Sequence, residues 1–221
     1  VFGRRPGPGS RDEYAATPPL SGAGVRLEPL TVGHRDQLAE AVRDGELWHT
    51  WYTRIPPPEG MAAEIDRRLA LQRAGSMAPW VVVATDPTTA DRVVGMTTFM
   101  NVDPDNRRLE IGSTWLRRSA QGTGVNAEAK LLLLTRAFEE LDCVAVEFRT
   151  HWHNHRSRAA IARLGAKQDG VLRNHQFWPP AGPDGAPTDP PVLRDTVVFS
   201  IIDADWPTVR LGLQERIIGR R

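Results

Sequence analysis

The residues that bear most directly on chemistry are Gln121-Gly122-Thr123-Gly124-Val125-Asn126, which stand where a β-rich segment ends and the longest amphipathic stretch begins. Two glycines at such a junction let the chain turn tightly and gather consecutive N–H groups, while a helix start adds unsatisfied donors and the positive end of its dipole. That arrangement suits an anion, a pyrophosphate in particular; a plain glycine turn into a helix is the structural alternative. Arg117 and Arg118, just upstream, are placed to add charge. Glu110 lies on a strand opposite Leu109 and Ile111, so its carboxylate can face a cleft and take a proton directly or through water. An ordinary polar residue on a half-solvated strand fits that pattern equally well.

Other reactive side chains are weaker candidates. His151, His153 and His155 alternate, but no nearby Cys or acidic residue completes a tetrahedral set, so solvated histidines and no metal are expected. Cys143, the only cysteine, sits among Val144, Ala145 and Val146 and reads as a buried, inert thiol that can form no internal disulfide. Read as Gly122-x-Gly124-x-x-Ala127, the glycine loop also imitates a dinucleotide fingerprint, with Glu147 near the spacing of a ribose contact. An NAD(P)-binding oxidoreductase is disfavoured by placement. Polar residues separate strand from glycines, and short links make the preceding strands antiparallel, whereas that fold needs parallel strands with crossovers.

The elements that must position these residues follow from periodicity. Segments 80–85, 92–101 and 108–116 are β-rich and joined by short turns, which predicts an antiparallel meander. Over 125–141, Ala127, Leu131, Leu134, Phe138 and Leu141 recur at helical spacing opposite Glu128, Lys130, Arg136 and Glu139, giving a long amphipathic helix. A strand at 144–150 leads to a helix capped by Asn154 and ended at Leu164 by Gly165. Strands at 171–177 and 192–202 complete the sheet, their connection 178–191 being a Pro/Gly-rich loop, and Asp205 caps a last helix. Upstream, 25–29 reads as an edge strand, followed by one helix presenting Leu38, Ala41 and Val42 and another over 61–74. Between them 44–60 carries Trp48, Trp51 and Tyr52, which either plug onto the core or wall a substrate cleft.

With 221 residues, 40% of them hydrophobic, the chain is long enough for one sizeable domain, expected over 25–221. The Gly- and Pro-rich residues 1–24 lack a period and read as a flexible tail. Twenty-eight Lys and Arg against 27 Asp and Glu leave a net charge of +1, which argues against a nucleic-acid or anionic-membrane partner. No apolar run approaches bilayer length, and a cytoplasmic protein is expected. Edge strands and the last helix make a homo-oligomer possible without requiring one.

Three ordered segments together resemble the GNAT superfamily of acyl-CoA N-acyltransferases, in the branch like ribosomal-protein N-terminal acetyltransferases of the RimJ/RimL type. They are Arg108-Leu109-Glu110-Ile111-Gly112-Ser113-Thr114-Trp115-Leu116, the Gln121–Gly124 loop, and Asn154-x-x-Ser157 leading to Arg163-Leu164-Gly165-Ala166. The resemblance spans about 25–217. It implies an α+β fold with a mixed, mostly antiparallel sheet of about seven strands, splayed between the fourth and fifth and flanked by helices. It further implies that pantetheine pairs with backbone at Trp115, Leu116 and Arg117. Gln121, Gly122, Thr123, Gly124, Val125 and Asn126 would hold the pyrophosphate, Asn154 and Arg156 would flank the thioester end, and Ser157 would approach the departing sulfur. Ser119 departs from the family, which often has Gln or Arg there. The implied reaction moves an acyl group from acetyl-CoA, or a carboxylated donor such as succinyl-CoA, to a protein N-terminus, a lysine or a small amine, with no metal. Arg149, Arg156 and the three histidines favour the carboxylated donor. A CoA-binding module without turnover is the alternative.

Overall fold

A computed structural model of the chain describes residues 9–85, 91–179 and 190–219. Most of the expected turn at 86–91 and of the expected loop at 178–191 lies outside them. Eight strands form one sheet: β1 (Leu20–Ser21), β2 (Val25–Pro29), β3 (Met77–Ala84), β4 (Arg92–Asp103), β5 (Arg108–Leu116), β6 (Ala145–His151), β7 (Lys167–Trp178) and β8 (Val192–Ile202), in the order β1-β2-β3-β4-β5-β6-β8-β7. Every neighbouring pair is antiparallel except β5 and β6. This is the mixed sheet expected, with one more strand, because Leu20 and Ser21 pair with Leu27 and Arg26 and take the edge from β2. A single parallel pair also removes the dinucleotide-fold reading, which requires successive parallel crossovers.

The helices are α1 (Arg11–Ala15), α2 (Arg35–Arg43), α3 (Met61–Arg73), α4 (Val125–Thr135), α5 (His155–Ala162) and α6 (Trp206–Ile218). They cover both faces of the sheet. On one face Leu38, Ala41 and Val42 of α2 and Met61 and Ile65 of α3 pack on Val81, Val83, Met96 and Trp115. On the other, Leu133 and Leu134 of α4 and Ile161 of α5 close over Leu109, Val146 and Phe148. The amphipathic stretch at 125–141 is not uniform: its last turn, Arg136–Glu140, widens, with Leu141 N–H donating to the Arg136 carbonyl at 3.0 Å.

Residues 10–24 correct the expectation of a flexible tail. Ser10 and Glu13 form a reciprocal capping box that starts α1, and Tyr14 is wholly buried with its hydroxyl donating to Leu141 O at 3.2 Å. Gln72 Nε2 holds Ala15 O, Trp80 Nε1 holds Pro18 O, and Glu128 Oε1 accepts from Ala23 and Gly24 N–H. Composition hid this because a strap fastened by side chains from elsewhere needs no periodicity of its own. Cys143 is buried beside Tyr14, and burial pushes its thiol up to about 12, as an inert cysteine requires.

The register of β4 on β5 matters most for the site. Met96 faces Trp115 but Thr98 faces Gly112, so β5 carries one extra residue opposite Thr97, and Ser113 takes the left-handed conformation with φ of 46°. Gly95 permits the approach next to it, since a Cβ there would overlap the Trp115 carbonyl. Two buried cations grip this bulge from opposite faces. Arg68 of α3, 2% exposed, donates Nη1 to Thr98 Oγ1 at 2.6 Å, Nη2 to Ser113 O at 3.2 Å and Nε to Glu64 at 2.7 Å. Lys130 of α4 donates Nζ to Thr97 Oγ1 at 3.0 Å and to Thr114 Oγ1 at 2.8 Å, with no carboxylate in ion-pair range among the described residues.

The two cations have opposite expected costs. Arg68→Ala leaves Glu64 to Arg67 alone, takes the donors from Thr98 Oγ1 and the Ser113 carbonyl and empties a fully buried position, and should lower unfolding free energy by about 3–5 kcal/mol in denaturant titrations. Lys130→Met leaves the Thr97 and Thr114 hydroxyls bonded to each other at 2.8 Å, and should be neutral or stabilising by about 1–4 kcal/mol at pH 7. Burial lowers the Lys130 pKa from 10.5 to about 7, so the unfolded chain binds more protons between those values. Wild-type stability should therefore gain from this group as pH rises across that window, and the gain should vanish in the Met variant.

Candidate active site

β5 and β6 pair only at Arg108, Leu109 and Glu110 against Ala145, Val146 and Glu147. Past Glu110 the strands part, so the edge of β5 over 111–116 has no strand partner on that side, and Ser113 and Thr114 are exposed there. This is the splay expected between the fourth and fifth strands, one number later because of β1. An extended ligand can add to such an edge as a strand would. The Trp115 side chain turns away from it into the core under α2, and its Nε1 is buried without a hydrogen-bond partner.

At the end of the open edge lies the glycine loop. Gly122 and Gly124 have φ of 84° and 111°, the left-handed region, and a Cβ added at Gly122 would meet nothing beyond its chain neighbours within 4 Å, so the conformation and not crowding calls for glycine there. Gly124 starts α4 with no side-chain cap, so the first amides of the helix are open to an external acceptor. The loop is held from behind: Gln121 Nε2 donates to Leu116 O at 2.6 Å and Thr123 Oγ1 to Ala120 O at 2.8 Å. Gln121 and Thr123 therefore shape the cradle with their side chains and have only backbone to offer an anion.

Arg117 corrects an expectation. Its N–H is spent on Val94 O at 2.7 Å, and its guanidinium is buried on Asp44 at 2.8 Å, so it adds neither backbone donor nor free charge to the cradle. Ser119, the departure from the family pattern, donates Oγ to the same Asp44 oxygen at 2.5 Å. Together they hold the Asp44 carboxyl down at about 2 and fasten the start of the 44–60 segment to the loop.

Strand pairing puts Glu110, Glu147, Arg149, His151, Thr196 and Arg194 on one face of the sheet, opposite the face covered by α4 and α5. Glu110 is 5% exposed; burial raises its pKa to about 6 against the pull of Asn101 Nδ2, which donates at 2.7 Å, and of Arg149 at 3.7 Å. A carboxylate poised there is mostly ionised at pH 7 and can still accept a proton. Arg149 itself is held by Glu147 at 2.8 Å. His151 corrects the reading of solvated histidines: it is buried, and burial with nearby Arg194 lowers its pKa to about 4. Its Nδ1 accepts from His153 N–H at 3.1 Å, which places the proton of the neutral ring on Nε2. Of the three aromatics of the 44–60 segment, Trp48 packs on the core, while Trp51, 42% exposed, stands edge-on to His151 at 5.2 Å and to Tyr52 at 5.4 Å.

At the far end of β6, Asn154 Oδ1 accepts from Ser157 N–H at 3.0 Å, so Asn154 is spent on capping α5. Ser157 is half-buried in the first turn, and Arg156 beside it is exposed. Asn101, Arg68 and Arg194 were missed. Arg68 alone left a signal, a cation on the apolar stripe of Met61 and Ile65; Asn101 and Arg194 reach the site through register shifts and a long strand that no local pattern marks. No group of three or more His, Cys, Asp or Glu among the described residues could hold a metal ion, and no helix of them is long and apolar enough to cross a membrane.

Known proteins share this architecture. YdaF of Bacillus subtilis (strain 168), a candidate ribosomal N-acetyltransferase, is 30% identical over 112 residues, which is 51% of this chain and about half, 55%, of that relative. The crystal structure of a candidate acetyltransferase from T. thermophilus has 31% identity and a TM-score of 0.74 over 91% of this chain and 98% of its own. That of a GCN5-related N-acetyltransferase from Brucella melitensis has 27% identity and a TM-score of 0.74 over 90% and 85%. Residues 25–167, more than half of the chain and including the split strands and the glycine loop, match the Acetyltransferase (GNAT) domain, and the chain belongs to that family.

Proposed function

We propose that the protein transfers an acyl group from coenzyme A to a primary amine. The observation that carries this reading is the conjunction of an open strand edge, an uncapped helix start and a buried carboxylate raised to about 6 at the point where the strands part. Pantetheine adds along 111–116 beside Trp115 and Leu116, and the pyrophosphate rests in the turn of Gly122 and Gly124 on the first amides of α4 at Val125 and Asn126. Exposed Arg156 flanks the thioester end, and Ser157 at the start of α5 is the hydroxyl placed for the sulfur. The acceptor enters over the opposite face, past Trp51.

In the reaction the amine nitrogen attacks the thioester carbonyl, the C–S bond breaks, the thiolate leaves, and the ammonium proton passes to Glu110 directly or through water. Asn101 is a positioning residue that fixes the Glu110 rotamer. Acetyl is the donor this geometry supports. Of the groups that recommended a carboxylated acyl chain, Arg149, Arg156 and the three histidines, Arg149 is compensated by Glu147 and buried His151 is neutral. The ribosomal acceptor in the name of YdaF makes a protein N-terminus the first acceptor class to try. A CoA-binding module without turnover has no support from a built and poised carboxylate such as Glu110.

Calorimetric titration should show binding of acetyl-CoA and none of NADH; the reverse would remove the reading. With a competent acceptor, kcat/KM expressed per free amine should rise through pH about 6 and then level as Glu110 ionises. Glu110→Gln should lose about 10²–10⁴-fold in kcat and the acid limb with it, leaving acetyl-CoA affinity intact. An unchanged limb would take Glu110 out of the proton transfer.

A further inference from the structure

Arg194 is the charged residue of the polar face that neither the reaction above nor an ion pair among the described residues accounts for. It lies on β8, two residues before Thr196, which pairs with His151, and its side chain shares the face of Glu110 and His151. It is 9% exposed. Its Nε donates to Thr196 Oγ1 at 3.2 Å, and its guanidinium carbon lies 4.7 Å from the ring centre of Trp178. Among the described residues no carboxylate lies within ion-pair distance of it. Asp195, its chain neighbour, turns to the other face and is held by Arg173 at 2.5 Å and Asn174 N–H at 2.7 Å. Arg149, on the same face as Arg194, is by contrast fully paired.

A guanidinium nine-tenths buried with one neutral hydroxyl and one aromatic face is under-compensated: the cation–π contact is worth about 0.5–2 kcal/mol, less than the cost of burying the charge. The surroundings keep it fixed and aimed. Trp178 Nε1 donates to Trp51 O at 2.9 Å and Arg54 approaches the same ring at 5.5 Å, so the end of β7 and the 44–60 segment close over Arg194 from outside. Glu110 is the carboxylate whose charge acts on Arg194 from beyond ion-pair distance, and neutral His151, edge-on to Trp51, lies on the same face.

We infer that Arg194 is a specificity-determining residue that receives a carboxylate of the substrate, held by charge-assisted hydrogen bonds beyond the point where the amide forms. The inference rests on the acyltransferase reading and adds the substrate class to it. Its place on the acceptor face, away from the α4 cradle, favours a carboxylate carried by the acceptor; a carboxylated acyl chain reaching through from the thioester is the other source of the same chemistry.

The test uses short peptides with free α-amino groups, matched in pairs with Asp or Glu against Asn or Gln in the first three positions, and both acetyl-CoA and succinyl-CoA as donors. Thiol release gives kcat/KM, and calorimetry in the presence of CoA gives peptide binding without turnover. Wild type should favour the acidic member of a pair by about tenfold to a hundredfold, mainly through KM. Arg194→Met should bring the ratio of acidic to amide kcat/KM to about one while leaving acetyl-CoA affinity unchanged, and Arg194→Lys should keep part of the preference. A preference for succinyl-CoA over acetyl-CoA with every peptide, lost in Arg194→Met, would assign the carboxylate to the donor. Equal kcat/KM and equal binding for both members of each pair with both donors in wild type, or equal losses across all of them in the variant, would overturn the inference. If acetyl-CoA binds but no thiol is released from any pair, the transferase reading fails, and the binding preference still decides the role of Arg194.

Discussion

The slot depends on a one-residue slip between β4 and β5 that two buried cations hold in place. Opposite Thr97 the β5 strand carries an extra residue, and the twist this adds accompanies the parting of β5 from β6 just beyond Glu110. A bulge left to itself exposes unpaired carbonyls and can anneal back into register. Here Arg68 binds the Ser113 carbonyl from the α3 side, while Lys130 binds the flanking threonines from the α4 side. Both charges are expensive to bury. Their placement exchanges folding stability for a strand edge that stays open.

The same slip organises the electrostatics. Because β5 and β6 remain paired at Glu110 and Glu147, those two carboxylates sit together where the gap opens, one raised by burial and the other occupied by Arg108 and Arg149. The two sides of the gap then differ in kind. Toward α4 there is an uncapped helix start whose backbone donors are proposed to receive an anion; across the sheet there is a wall of Trp51, neutral His151 and Arg194. On the proposed reading, donor and acceptor approach from opposite faces and meet at one carboxylate.

Much of this was legible in the residues themselves. The alternation around Leu109, Glu110 and Ile111 gave β5 and the side on which its carboxylate lies, and the glycines at 122 and 124 marked the helix start, because both depend on local backbone geometry. The capping by Asn154 was likewise local. The order of 10–24 was not legible, since Tyr14, Pro18 and Gly24 are held by Leu141, Trp80 and Glu128, far off in sequence. Arg117 was misjudged for the same reason: adjacency to the loop suggested charge for an anion, while Asp44, 73 residues away, had already claimed it.

The central claim is that the edge of β5 past Glu110 and the start of α4 are the surfaces that coenzyme A covers. Amide hydrogen exchange with and without acetyl-CoA reads this directly, because an added strand and a bound anion slow exchange where N–H groups are newly bonded. The account predicts slowed exchange confined to 111–116 and 122–126, with β2 and β3 unchanged. Slowing elsewhere, or none at saturating acetyl-CoA, would contradict it.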